Sequence, residues 1–177
     1  DAITDLFTNT VDMSDEKYIT CDAARFGGDF IPIYLCEGFR IYRVEVYQRQ
    51  GLDVTKERLK TLVAEEKVPY SHVMVDEDGV GGGLVDELRG IKGFAAASSP
   101  LEPKQKPDDA PNEQYANLKA QCSYLLAEAV NKHRIAVTPL ATVLPDDLSP
   151  SRFQELLIED LGQVKRKDPD SDEKKLQ

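Results

Sequence analysis

Residues 72–88 read HVMVDEDGVGGGLVDEL. Four strand-forming residues run into three carboxylates, which are followed by four glycines in five residues and then by apolar residues at helical spacing. The stretch predicts a buried strand over 72–75, an acidic tip, and a helix that begins within the glycine run. Three kinds of site have this combination: the magnesium-binding strand of an ATPase, a dinucleotide-binding glycine loop, and an acidic metal site that cleaves phosphodiesters.

The two nucleotide-binding alternatives lack supporting residues. A P-loop ATPase needs a GxxxxGK[ST] segment whose backbone N–H groups hold the phosphates, and the sequence contains none. The glycine run 79–83 resembles a dinucleotide-binding loop in part, but the three preceding carboxylates would repel a pyrophosphate at the helix N terminus. Both alternatives are therefore disfavoured.

The third alternative gains support from a second strand that ends in an aspartate. Asp22 follows the strand-like segment 18–21 (YITC), just as Asp76 follows 72–75. If these strands are parallel neighbours, their ends lie about 4.8 Å apart, and two carboxylates so placed repel each other unless a cation lies between them. Oxygen ligands suit Mg²⁺ or Mn²⁺, and two such ions stabilise the attacking and leaving oxygens of phosphodiester hydrolysis. The pattern indicates a two-ion site centred on Asp22 and Asp76. The glycines would allow the following helix to start close to this site, so that a phosphate backbone can approach it.

An antiparallel hairpin is predicted from the segments 30–36 and 39–47, which are joined by a two-residue link. In the second segment, alternation places Arg43 and Glu45 on the exposed face of a half-exposed strand. Pro32 lies inside the first segment and removes a hydrogen-bond donor, so we expect a β-bulge there.

The rest of the chain alternates between helix and strand patterns. The further predictions are a helix over 54–67 capped by Asp53, a short strand near Phe94, a proline-rich loop over 98–113, a helix over 114–132 whose core stripe includes Leu125 and Leu126, a strand over 134–137, and a last helix that Ser149 and Pro150 open. This order predicts an α/β layered fold with a mixed sheet.

Composition limits the function classes further. With 41% hydrophobic and 31% charged residues, the 177-residue chain has the make-up of one globular domain. Its three cysteines have no CxxC spacing, which argues against a zinc cluster or a disulfide framework. The net charge of −10 means that any contact with nucleic acid must come from a local basic strip or from a metal-filled site.

The motifs YITCDAARFGGD, VMVDEDGVGGGLVDELRG and YANLKAQCSYLLAEAV together resemble the C-terminal nuclease domain of the large terminase subunit of tailed bacteriophages. The resemblance covers 17–162, which leaves 1–16 as an N-terminal linker or extension and 163–177 as a charged, flexible tail or hairpin. It implies a three-layer ribonuclease-H-like fold: a mixed sheet with an opening antiparallel hairpin and helices on both faces.

The same resemblance implies a function. Domains of this family are divalent-metal-dependent endonucleases that cleave double-stranded concatemeric DNA during capsid packaging, with two Mg²⁺ or Mn²⁺ ions. The implied partners are double-stranded DNA, the terminase ATPase domain, the small terminase subunit and the portal, with no membrane. The implied location is the host cytoplasm, where a soluble phage-encoded protein would act.

The resemblance also assigns roles to particular residues. Asp22 and Asp76 match the family's metal ligands, and Asp78 is expected to bind the second ion or a water on it. Secondary candidates are Asp29 as a further acid, Arg25 as a phosphate contact, and Lys104, Lys106, Lys132 and Arg134 as DNA contacts.

Two alternatives stay open. The family usually supplies a third acid from a late SPDxxDA-like helix, and the 177 residues contain no such motif, so we assign no third ligand. A non-catalytic or weakly active ribonuclease-H-like module that docks onto the packaging motor would fit this departure and the acidic balance. A junction-resolvase-like nuclease is the other alternative.

Overall fold

The computed structural model of the chain describes residues 1–24, 28–102, 114–165 and 173–175. Its strands are β1 (Lys17–Cys21), β2 (Phe30–Glu37), β3 (Arg40–Gln48), β4 (Val73–Asp76), β5 (Lys92–Phe94), β6 (Gln114–Tyr115), β7 (Ala136–Val143) and β8 (Glu173–Lys174). Its helices are α1 (Ala2–Asp5), α2 (Leu52–Glu66), α3 (Gly82–Glu87), α4 (Leu118–Asn131) and α5 (Pro150–Gln163), with single 3₁₀ turns over Tyr70–His72 and Gly79–Gly81.

The main sheet has six strands in the order β5-β4-β1-β2-β3-β7. Strand β2 runs antiparallel to β1 and β3, whereas the pairs β1–β4, β4–β5 and β3–β7 are parallel. Five strands therefore point the same way and end on one side of the molecule. This mixed α/β sheet with an antiparallel opening hairpin confirms the predicted fold class.

Helices cover both faces of the sheet. On one face, α2 and α3 pack Leu59, Leu62 and Leu84 against buried residues of β1, β2 and β4. On the other face, α5 packs against β3 through Phe153 and Leu156. The helix α5 starts as predicted, with Ser149 as its N-cap and Pro150 in the first turn. Helix α2 begins earlier than predicted, because Gly51 rather than Asp53 is its N-cap.

Pro32 lies in a central strand without the expected bulge. It pairs in register with Val46 of β3, and the irregularity of β2 occurs instead between Leu35 and Cys36. The carbonyl of Pro32 accepts the N–H of Asp22, one residue after β1 ends. The proline, which has no N–H, therefore lies opposite the residue at which the β1–β2 ladder stops.

The fourth helix differs most from its prediction. Residues 114–115 pair with 173–174 as a two-stranded parallel sheet, and α4 begins only at Leu118 with Asn117 as its cap. The predicted core stripe, which also included Val130, is right at that residue but wrong at Leu125 and Leu126, which are 50% and 42% exposed. Burial in this helix is confined to Ala120 and Val130.

The first residues join the core. Leu6 is 2% exposed and packs with Val130 and Val137, and its carbonyl accepts the N–H of Val137. The domain boundaries at 16/17 and 162/163 stay predictions. No helix within the described ranges is long and apolar enough to cross a bilayer.

Candidate metal centre

Asp22 and Asp76 lie side by side at the ends of two parallel strands. Strands β1 and β4 pair with Cys21 opposite Val75, so the next residue of each strand is an aspartate at the same level of the sheet. The Asp22 N–H donates to the carbonyl of Pro32 at 3.1 Å, which holds the backbone of Asp22 against β2. The juxtaposition expected from the sequence is therefore present.

Both aspartates open onto the face of the sheet that α2 and α3 do not cover. Side chains alternate along a strand, so Asp22 and Asp76 lie opposite the buried Cys21 and Val75. A cavity of about 240 Å³ begins at the two carboxylates. It is lined by Thr20, Cys21, Asp22, Tyr34, Met74, Asp76 and Phe94.

Within the described ranges, the electrostatics of the pair are those of carboxylates without a counter-charge. Partial burial raises the pKa of the Asp22 carboxyl above its ordinary value, and the negative charges of Asp76 and Asp29 raise it further. Among the residues that the structure describes, no basic side chain forms an ion pair with Asp22 or Asp76. A cation at this position would relieve the repulsion.

The other two acids of the tip have different surroundings. The Asp78 N–H donates to Oδ1 of Asp76 at 3.1 Å, and Oδ2 of Asp78 accepts the N–H of Ala96 at 3.0 Å. Glu77 lies against Gly93, where an added Cβ would approach the Glu77 carboxylate to 2.0 Å. The three carboxylates therefore do not converge on one point.

The glycine run allows a close backbone contact with the acidic strand. A Cβ on Gly81 would lie 1.8 Å from the carbonyl oxygen of Asp76, so no other residue fits there without a shift of the backbone. Gly79 has a φ of +80°, a left-handed conformation that favours glycine. These two glycines turn the chain directly from the end of β4 into α3, which answers why the sequence places them there.

The residues present suit a hard divalent cation held in part by protein. Mg²⁺ is commonly bound through one or two carboxylates, with waters and substrate phosphates completing its shell. Asp22 and Asp76 supply that donor set. Within the described ranges, no group of three or more His, Cys, Asp and Glu side chains has the geometry of a metal site. These two carboxylates supply donors for one such ion, and the second ion expected from the sequence stays a prediction.

The remaining predicted site residues separate into three groups. Asp29 is exposed and close enough to raise the pKa of Asp22. Arg25, Lys104 and Lys106 lie outside the described residues.

Lys132 and Arg134 precede β7, whose first residue pairs with the first residue of β3. They therefore lie at the starts of the parallel strands, away from the aspartates at the strand ends, and Lys132 forms an ion pair with Glu128.

Sequence reasoning missed the apolar wall of the cavity. Tyr34 pairs with Thr20 across β1 and β2, and burial raises its pKa to about 12, with the charges of Asp160 and Asp22 adding to the effect. Alternation within β2 could have revealed it, because Tyr34 falls on the face opposite Ile33 and Leu35.

Comparison with known proteins gives matches at the level of structure. No protein-family model matches the chain, and neither does any curated protein. The nuclease domain of the large terminase subunit gp2 of bacterial virus Sf6 matches with a TM-score of 0.69 at 17% identity, covering 94% of this chain and 79% of that one. A mutant of the same domain with manganese matches with a TM-score of 0.67 at 20% identity, covering 99% and 84%. The large terminase nuclease from thermophilic phage G20c matches with a TM-score of 0.52 at 15% identity, covering 99% and 86%.

These likenesses extend over nearly the whole chain, and at such low identity they concern the fold. The chain has the ribonuclease-H-like fold of large-terminase nuclease domains, as the sequence motifs predicted.

Proposed function

We propose that the chain is the nuclease domain of a large terminase subunit and cleaves double-stranded DNA with the help of a divalent cation. The observation that carries the proposal is the adjacency of Asp22 and Asp76 at the ends of β1 and β4, in a chain with the fold of terminase nuclease domains. Concatemeric phage DNA is the proposed substrate. The ATPase domain, the small subunit and the portal are the proposed partners, and the host cytoplasm is the proposed location.

The proposed cofactor is Mg²⁺ or Mn²⁺. Three of the matching Sf6 structures contain manganese or calcium. In this chain the carboxylates of Asp22 and Asp76 would hold the cation. When bound, it neutralises charge that develops on the phosphate and its attacking and leaving oxygens.

The chain's own residues prepare this site in two ways. The Pro32 carbonyl holds the Asp22 backbone in place, and the Asp78 N–H holds one carboxylate oxygen of Asp76, so the main chain of one ligand and the side chain of the other are positioned before metal or DNA arrives. Positioning of this kind lowers the reorganisation needed to reach the transition state. The exposed face beside them leaves the DNA backbone free to approach.

The test is cleavage of supercoiled plasmid in Mg²⁺ or Mn²⁺. We expect nicked and then linear DNA with the natural chain, and a loss of at least about 100-fold with Asp22→Ala or Asp76→Ala, since even residues that only support a metal ligand cost 10- to 100-fold. Asp86→Ala, which removes an exposed carboxylate from α3, is the matched control and should cleave normally. Linearisation that survives Asp22→Ala and Asp76→Ala together would exclude this site.

One observation favours a second candidate, a docking module of the packaging motor that does not cleave. The described residues bring two carboxylates together rather than three or more, and the chain carries a net charge of −10. A folded protein that leaves plasmid intact at millimolar Mn²⁺ would support this candidate over the nuclease.

A further inference from the structure

We propose that Asp78 is a positioning residue that couples the Asp76 carboxylate to the amino end of α4, in place of the ligand role predicted from the sequence. The inference rests on the proposed function, because it concerns how the cation site is held. Asp78 makes two hydrogen bonds: its own N–H bonds to the site, and its side chain bonds to a backbone N–H away from the site.

The contact toward the site uses the main chain of Asp78. Its N–H donates to Oδ1 of Asp76 at 3.1 Å, two residues back along the chain. A hydrogen bond to one oxygen of a carboxylate restricts rotation of the group and so narrows the positions that its other oxygen can take. The turn after β4 thus sets the orientation of the ligand that precedes it.

The contact away from the site uses the side chain. Oδ2 of Asp78 accepts the N–H of Ala96 at 3.0 Å, across 18 residues of sequence. A charged acceptor on a backbone N–H is among the stronger hydrogen bonds in proteins. This bond holds the Asp78 turn against the segment that follows β5. The Glu77 N–H also donates to the carbonyl of Phe94 at 3.0 Å, so the Asp78 bond adds a side-chain link to the backbone link that the turn has with β5.

The segment after β5 is in turn fastened to α4. The N–H groups of Leu118 and Lys119 donate to the carbonyls of Ser98 and Ala96, at 2.8 and 3.1 Å. These are amides of the first turn, which have no partner within the helix. Three successive bonds therefore connect Asp76 to the start of α4: Asp78 to Asp76, Ala96 to Asp78, and Lys119 to Ala96.

A further pair of hydrogen bonds joins the other end of the same segment to α4, one turn further along the helix. The side-chain amide of Gln121 donates to the carbonyl of Leu101 at 2.8 Å and accepts its N–H at 2.7 Å. The chain from Ala96 to Leu101 is thus bound to α4 at both ends. Through Asp78, this bound segment supports the cation site.

Asparagine separates the two roles of Asp78. Asp78→Asn keeps an oxygen that accepts the Ala96 N–H but removes the negative charge that a Mg²⁺ or Mn²⁺ ligand needs. Asp78→Ala removes both. A positioning residue is rescued by asparagine and a ligand is not.

The experiment measures hydrogen exchange of the Ala96 amide by NMR and Mn²⁺ affinity by calorimetry, on the full chain and its variants. In Asp78→Ala we expect exchange at Ala96 to accelerate at least about tenfold and Mn²⁺ affinity to fall about 10- to 100-fold. In Asp78→Asn we expect protection to persist and affinity to stay within about threefold, because a neutral acceptor weakens the bond without removing it. Asp86→Ala should match the natural chain in both measurements.

Two results would overturn the inference. Equal loss of Mn²⁺ affinity in Asp78→Asn and Asp78→Ala would make Asp78 a ligand. Unchanged exchange at Ala96 in Asp78→Ala would show that the bond does not hold the segment. Failure of the proposed function looks different: the natural chain would then take up no Mn²⁺, while exchange at Ala96 would still report whether the Asp78 bond exists.

Discussion

Glu45 and Asp22 are carboxylates in or directly after a strand of the same sheet, yet one is surrounded by hydrogen-bond donors and the other faces a second carboxylate. Glu45, inside β3, has 0% of its surface exposed and is surrounded by donors. Asp22, just beyond β1, faces Asp76 and has a raised pKa. The first carboxylate is neutralised by the protein itself, whereas no basic side chain in the described part of the chain forms an ion pair with the second.

The environment of Glu45 is a cluster of charge-assisted hydrogen bonds. Arg58 of α2 donates to both of its oxygens at 2.8 and 2.7 Å, Arg43 donates at 2.9 Å, and the Tyr47 hydroxyl donates at 2.7 Å. Burial alone would raise the pKa of Glu45, but the bonds from Arg58 and Tyr47 and the charges of both arginines lower it below its ordinary value. Arg43 also donates to Glu66 at 2.9 Å, which ties α2 to β3 a second time.

The difference teaches how an acidic group can be assigned to structure or to function. A buried carboxylate whose lone pairs are all satisfied contributes rigidity, and losing it leaves buried cations behind. Two neighbouring carboxylates with no cation between them lower the stability of the fold, and such pairs are typical of functional sites. Damage to Glu45 should therefore affect stability, whereas damage to Asp22 should affect cation uptake and cleavage.

Removing the satisfied carboxylate should give the largest change in stability. We expect Glu45→Ala to lower the free energy of unfolding by about 2–4 kcal/mol, because Arg43 and Arg58 lose their shared acceptor. In a domain of this size that corresponds to a Tm lower by about 5–12 °C. The matched control is Glu65→Ala, which removes a half-exposed carboxylate 3.6 Å from Arg43 and 3.7 Å from Arg58.

Thermal unfolding followed by circular dichroism measures this difference. Glu65→Ala should shift Tm by no more than about 2 °C, since exposed pairs contribute little. Equal shifts in the two variants would show that burial of Glu45 adds nothing, and the contrast with Asp22 would fail.

Acid should remove the stabilising contribution of Glu45 and Glu66. Because the folded state lowers the pKa of both carboxyls, the unfolded chain binds more protons below the ordinary glutamate value of about 4.3. Their contribution is fully present above that pH and is lost as the pH falls through the lowered folded values. Urea unfolding as a function of pH should show a shallower decline below about pH 4.3 in Glu45→Gln. An identical slope would contradict the cluster's role.

Removing the repulsion between Asp22 and Asp76 should give the smallest change in stability, and the change should be an increase. Since the folded state raises the pKa of Asp22, its stability cost is absent at low pH and is fully present once the pH has risen through the folded value. At neutral pH and without metal, Asp22→Asn should raise Tm by about 1–2 °C, after allowing for solvent screening. Added Mn²⁺ should stabilise the natural chain but not this variant. A lower Tm in metal-free Asp22→Asn would mean that the aspartate is structurally satisfied.

Much of the fold was accessible to sequence reasoning because the deciding signals are local. Alternation predicted the hairpin of β2 and β3, the Ser149 cap predicted α5, and an aspartate after each of two short strands predicted the pairing of β1 with β4. The hairpin and the cap depend on residues within about one turn or one strand, whereas the pairing of β1 with β4 joins strands distant in sequence and was inferred from the aspartate that follows each of them.

The errors come from contacts distant in sequence. Glu45 was expected to be exposed, because nothing in RVEVY reveals that Arg58 of α2 will cover it. The start of α4 was misplaced because residues 114–115 pair with 173–174 instead of extending the helix. The positioning role proposed for Asp78 could not be inferred from the local sequence either, because the Ala96 N–H that its side chain accepts lies 18 residues away; its ligand role stays a prediction. Acidic residues near a strand end indicated a site, but their hydrogen-bond and ion-pair partners, which are distant in sequence, determine which of these residues belong to the site.

The central claim is that Asp22 and Asp76 jointly bind one divalent cation. Calorimetric titration of Mn²⁺ into the natural chain, Asp22→Ala, Asp76→Ala and the double variant tests it directly. We predict saturable uptake of one ion by the natural chain and none by any of the three variants at the same concentrations. Uptake by the double variant with the affinity of the natural chain would contradict the account.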